Sequence, residues 1–181
     1  MTRPSDYRLV MPKGWFRIDL QPGMREPAVA RLIDQQFPST AATTSLKRQA
    51  GEQLLRMTQN AYSNGGLELY VSLQSAGGFP LPAALLITLA PPHDDINVTV
   101  DPSRLAETLS VGGGKVTLAD LPAGQAVRVR RQNQSTTLDI HVPVPESGAY
   151  LLLSFSTPLN VLADAMVCLF DSIATTLRWI T

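Results

Sequence analysis

The chain has 181 residues, 44% hydrophobic and 17% charged, with fifteen basic residues against fifteen acidic ones. That length points to one domain, 1–181, able to bury about 70% of the surface of its unfolded chain. A net charge of zero argues against a protein whose main business is neutralising phosphates, so nucleic acid is not an expected partner.

In chain order, "YRLVMPKGWFRIDL" places Trp15 or Phe16, Ile18 and Leu20 on a first strand, with Pro12 and Gly14 at its start. "REPAVARLIDQQF" carries Val29, Leu32, Ile33 and Phe37 at helical spacing, with Pro27 in the first turn and Pro38 as its stop. A second helix follows in "TTSLKRQAGEQLLRMTQNAYSNGG". Its stripe is Leu46, Ala50, Leu54, Met57 and Ala61, its cap is Thr43, Thr44 or Ser45, and its stop is Asn64-Gly65. The pattern then turns to β. "LELYVSLQ" alternates apolar and polar residues, and "AALLITLA" is a fuller apolar run that reads as a central strand. "DPSRLAETLS" predicts a short helix capped by Asp101. The segments "KVTLADL", "QAVRVRR", "TTLDIHVPV" and "AYLLLSFS" are separated by short turns, which implies antiparallel pairing. "PLNVLADAMVCLFDSIATTLRWIT" predicts a long amphipathic C-terminal helix of about five turns. The fold class is therefore α+β: a central, mostly antiparallel sheet of six or seven strands packed against helices.

The opening "Y…MPKGWFRIDL" and the closing "LLLSFSTPL" with its terminal helix resemble Mog1/PsbP-like domains. The likeness covers the two ends of the chain and the order of elements. It implies a central antiparallel sheet between helices, with Trp15 in the core. Members of that fold serve mostly as assembly factors, adaptors or accessory subunits, without a shared catalytic set. No functional residue carries over.

Several short motifs carry a chemical reading and a plainer one. "VGGGKVT", residues 111–117, lacks the G-x-x-x-x-G-K-[ST] spacing of a phosphate-binding loop and precedes a strand, so it reads as a glycine turn. "PPHDDIN" offers His93, Asp94 and Asp95 to a metal, yet the only other histidine is His141, and a solvated loop is the expectation. Asp139 and His141 share a strand face, but no G-x-S-x-G elbow accompanies them. The lone Cys168 allows no intrachain disulfide and falls on the polar side of the terminal helix, a filler rather than a nucleophile. Nothing names a cofactor. The N-terminus lacks an apolar run of signal-peptide length, and "LPAALLITLA" is too short to span a bilayer, so a cytoplasmic protein without membrane insertion is expected.

Two stretches stand out as binding surfaces. "SAGGFPLPAAL", residues 75–85, sets Phe79 and Leu81 among glycines and prolines; exposed, they would form a partner-binding knob. "VRVRRQNQSTTLDIHV", residues 127–142, reads as a hairpin. A four-residue turn, Gln132 to Ser135, would pair Val129 with Leu138 and Arg128 with Asp139. Val127, Val129, Leu138 and Ile140 would then face the core. Arg128, Arg130 and Asp139 would form a wet contact surface whose charge reversal leaves the fold intact. These features favour a non-catalytic interaction or adaptor module whose partner is another protein. The alternative is a small-ligand binder or enzyme with a pocket between sheet and helices. Nucleic-acid binding through the arginines comes last.

Overall fold

The computed structural model describes residues 4–37, 44–90 and 101–181. A short strand, β1 (Asp6–Arg8), comes first, and the turn at residues 12–14, with Gly14 at φ 84°, then delivers the chain into β2 (Trp15–Asp19). Two helices follow, α1 (Arg25–Gln36) and α2 (Thr44–Ser63). Gly65, at φ 83°, ends the second, as the Asn-Gly pair predicts. Next come β3 (Gly66–Ser72), a small hairpin of β4 (Ser75–Ala76) and β5 (Phe79–Pro80), and β6 (Ala84–Ala90). Helix α3 (Pro102–Ser110) is capped by Asp101, whose carboxylate accepts the Ser103 amide. Four strands complete the sheet: β7 (Lys115–Leu121), β8 (Gly124–Gln132), β9 (Thr136–Pro143) and β10 (Tyr150–Thr157). A 3₁₀ turn (Asn160–Leu162), α4 (Ala163–Ala174) and β11 (Arg178–Ile180) close the chain. His93, Asp94, Asp95 and Pro38 lie outside the described residues.

Seven strands form one antiparallel sheet in the order β2-β3-β6-β10-β9-β8-β7, with β6 well inside it. This is the α+β architecture the pattern of elements predicts. Both faces are covered. Ile18, Val29, Leu32 and Ile33 pack with Leu69 and Val71, so α1 and α2 close one face near β2 and β3. Helix α3 lies on β7 and β8. On the opposite face Leu85, Ile87, Leu138, Ile140, Leu153 and Phe155 meet Met166, Val167, Phe170 and Ile173 of α4, with Phe155 stacked on Phe170 at 4.8 Å between centroids.

Three elements differ from the sequence expectation. The C-terminal helix has twelve residues and stops at Ala174. The hydroxyls of Thr175 and Thr176 bond back to the carbonyls of Ser172 and Ile173, and the last residues pair with β1 as β11. Two β-branched residues with local acceptors compete with helix continuation, and Trp179 is held outside it by its bond to the Ala123 carbonyl, 2.8 Å. In α2 the apolar stripe is rotated. Leu46 and Met57 are exposed, whereas Thr58 is fully buried with its hydroxyl donated to the Leu55 carbonyl.

The third difference is the hairpin register. The turn has three residues, Asn133 to Ser135, and Gln132 pairs with Thr136. Val129 therefore faces Asp139, Val127 faces His141, and Arg128 and Arg130 stand opposite Ile140 and Leu138. A shift of one residue moves a strand's side chains to the other face. The arginines project towards α4. Arg128 grips Asp171 with two bonds, Nε–Oδ1 at 2.8 Å and Nη2–Oδ2 at 2.7 Å, and Arg130 reaches Asp164 at 2.7 Å. The Arg128–Asp139 pair does not form. Arg131 takes Asp139 instead, at 2.8 Å.

The Arg128 side chain is only 18% exposed beneath the helix. Arg128→Glu sets a carboxylate against Asp171 and is expected to cost about 2–4 kcal/mol, read as a lower urea midpoint. Adding Asp171→Arg should restore part of the loss, and equal midpoints for wild type and the single variant would refute the clasp.

Candidate functional site

Four places bring chemistry-bearing side chains together, and they are distributed around the sheet rather than gathered in one pocket. The first is the β4–β5 hairpin. Its two-residue turn is Gly77-Gly78, at φ 57° and 83°, a conformation that side chains resist even though open space surrounds both α-carbons. Gln74 braces the base: its side chain donates to the Lys13 carbonyl at 2.6 Å, and its own carbonyl accepts the Leu81 amide at 2.9 Å. Phe79 is held outward, 76% exposed, while Leu81 is half-buried. At the same end of the sheet the 3₁₀ turn after β10 presents Val161, 97% exposed.

The second place is a cleft of about 490 Å³ beside β1, lined by Asp6, Arg8, Arg17, Tyr62, Glu68 and Tyr70, among others. Sequence reasoning missed it, because its members come from separate elements. Glu68 is its node, 12% exposed. One oxygen accepts the hydroxyls of Tyr7 and Tyr70, each at 3.0 Å, and the other accepts the Arg17 guanidinium. The only hint in the sequence is a glutamate in a strand that otherwise feeds the core. Burial, and then the charge of Glu68, push both tyrosine hydroxyls above the ordinary tyrosine range. They remain neutral donors, and Glu68 ties β1 to the sheet. Arg25 lies over the Tyr62 ring, 5.8 Å from its centroid.

The third place is the face where Asp139 and His141 lie side by side, as their spacing predicts. Asp139 is engaged by Arg131, and His141 stands edge-on to Tyr150 at 6.3 Å. Burial pushes the His141 imidazole below its ordinary pKa, against the opposing pull of Asp139. The fourth is a cleft of about 490 Å³ lined by Gly112–Gly114, Lys115 and Arg130–Asn133. The glycines there form the turn from α3 into β7, as the sequence suggests. Cys168 is exposed. Among the described residues no cluster of three metal-ligating side chains occurs, and no helix is long and apolar enough to cross a membrane. The Trp15 ring packs on the main core, and among the described residues its buried indole N–H has no partner.

The antiparallel sheet covered by helices on both faces has a solved counterpart, and on that likeness the fold is Mog1/PsbP-like. The solution structure of cyanobacterial PsbP (CyanoP) from Synechocystis sp. PCC 6803 matches this chain with a TM-score of 0.50 and 14% identity, over 98% of this chain and 91% of that one. No family model and no curated protein matches the sequence.

Two measurements probe these groups. Glu68→Ala leaves two hydroxyls and a guanidinium without their acceptor and is expected to lower stability by about 2–4 kcal/mol, whereas Tyr7→Phe, which removes one bond, should cost about 1 kcal/mol. Equal effects would show that Glu68 is not the node. For His141, the unfolded chain binds the proton more readily than the fold does. Stability should therefore fall as the pH drops below about 6.5 towards the folded-state value. In His141→Gln, denaturation curves between pH 7 and pH 5 should show a shallower slope, and an unchanged slope would assign the dependence to other groups.

Proposed function

We propose that the protein is a non-catalytic interaction or assembly module that docks another protein through the end of the sheet carrying Phe79. The observation that supports this most directly is the 76% exposure of Phe79 on a hairpin whose base is tied to the body of the protein through Gln74. A large apolar ring in water is an unfavourable arrangement, and covering it with a partner relieves that cost. Val161 extends the apolar character at the same end of the sheet. The polar groups best placed to hold a substrate are engaged with one another: Glu68 with Arg17 and two tyrosines, Asp139 with Arg131, Asp171 with Arg128.

A second reading, a small polar ligand in the cleft around Glu68, draws on the tyrosine and arginine lining there. Such a ligand would have to displace the internal contacts of Glu68, which favours the first reading.

Affinity purification from the native cell with wild type and Phe79→Ser tests it. The variant should keep its stability within about 0.5 kcal/mol, since an exposed side chain supports no core. It should lose a partner that wild type retains. A partner recovered equally by both, or none recovered by wild type, would remove the proposal.

A further inference from the structure

We propose that the outer edge of β7, together with the glycine turn before it, binds the C-terminus of an extended peptide: the peptide adds a strand to the sheet, and its terminal carboxylate enters the cleft at Lys115. The site is distinct from Phe79 and does not depend on the reading built on that residue.

The first argument is the edge. β7 is the last strand of the sheet, and its register with β8 is unbroken from Lys115–Arg130 to Leu121–Gly124. A two-residue turn, Pro122-Ala123, makes Leu121–Gly124 a hydrogen-bonded pair, so the amides and carbonyls of Val116, Leu118 and Asp120 point away from β8. Among the described residues nothing else bonds to that backbone. Proteins blunt such edges with short strands, central charges, prolines or bulges. The opposite edge, β2, follows the rule: it has five residues, with Arg17 in the middle. In β7 the stretch Val116–Ala119 has no charge, proline or bulge, and Leu118 is 45% exposed.

The second argument is the wall beside it. Helix α3 packs on β7 and β8, yet buries none of its residues fully. Leu105 and Leu109 are left half-buried, and Val111 is exposed. An added strand offers apolar side chains to these groups on alternate positions.

The third argument is charge and direction. A strand antiparallel to β7 runs from Leu121 towards Lys115, so its C-terminus arrives at Gly113 and Gly114. Both glycines have positive φ, 77° and 106°, and among the described residues their amides have no backbone partner. Turns of this kind gather backbone N–H groups around an anion. Three cations stand at the cleft. Arg130 is bonded to Asp164 and Arg131 to Asp139, while Lys115 is exposed and makes no ion pair among the described residues. One positive charge is thus left over where one carboxylate would end. Gly114 also has to be glycine, since a β-carbon would lie 2.9 Å from the Arg130 carbonyl oxygen.

The test uses the full chain, isotope-labelled for amide NMR, and the hexapeptide Ser-Thr-Val-Thr-Thr-Val with either a free C-terminal carboxylate or a C-terminal amide. Saturable shifts at Gly113, Gly114, Val116, Leu118 and Asp120 are expected with the carboxylate form. Binding should be about tenfold weaker for the amide form, and about tenfold weaker to Lys115→Gln, the scale of one charge-assisted contact. Lys13→Gln at the far edge and Phe79→Ser should bind as wild type does, which separates failure here from failure of the Phe79 reading. The proposal is overturned by equal affinity for the two peptide forms, by shifts confined to other surfaces, or by no saturation at millimolar peptide. It is also overturned if sedimentation shows the edge already occupied by a second copy of the chain.

Discussion

Arg128 and Arg130 leave the middle of β8 on the face that α4 covers, and each ends on an aspartate of that helix. Asp164 and Asp171 are seven residues apart, about two helical turns, and so project from the same side of α4. The clasp lets a helix with a strongly apolar face lie across charged strand positions without stranding a cation. It also fixes which face of β8 is which. Val127 and Val129 must then point to the other side, where α3 packs. The double coverage of the sheet, the register of the β8–β9 hairpin and the placement of two helices are thus all consistent with this one arrangement of charge, which works alongside the apolar core beneath α4.

The opposite flank is held by a comparable node. Glu68 gathers a tyrosine from the N-terminal strand, an arginine from β2 and a tyrosine from its own strand. Pairing of β1 with β11 joins the two ends of the chain through only three residue pairs. So short a ribbon is marginal alone. The Tyr7–Glu68 bond, the Val10 amide on the Thr176 hydroxyl and the Trp179–Ala123 bond anchor it to the body of the molecule.

Much of this was legible in the sequence, and the limits have physical causes. Strands and helices follow from periodicity and caps: Asp101-Pro102 starts α3 and Asn64-Gly65 stops α2 as their chemistry requires. Faces were harder. Alternation in "VRVRR" and "TTLDIHV" is the same whether two strands bury their apolar sets together or on opposite sides, and it selects the first arrangement only for a sheet with one wet face. A sheet with helices on both faces removes that condition, and α4's aspartates, which a helical projection assigns to solvent, become partners of the arginines. The end of α4 is hidden in the pattern because Ile173 and Leu177 keep helical spacing across the change to strand. The Glu68 node was invisible for a different reason: no local pattern links residues 7, 17, 68 and 70 before the sheet forms.

What distinguishes the end of the sheet where β3 and β8 finish is that its loops are shaped by backbone conformation. Gly77 and Gly78 at one flank, and Gly113 and Gly114 at the other, all sit at positive φ. Each pair adjoins an element braced by its neighbours, the hairpin by Gln74 and the glycine turn by Arg131, whose Nε donates to the Gly113 carbonyl at 3.2 Å. Glycines in such conformations cost conformational entropy on folding. The two flanks put that cost to different uses. One lifts an aromatic ring clear of the fold, and the other bares amides beside a cation with no ion-pair partner among the described residues. An exposed aromatic ring and a set of bared amides thus stand on opposite flanks of the same end of the sheet, and each depends on a pair of glycines held at positive φ.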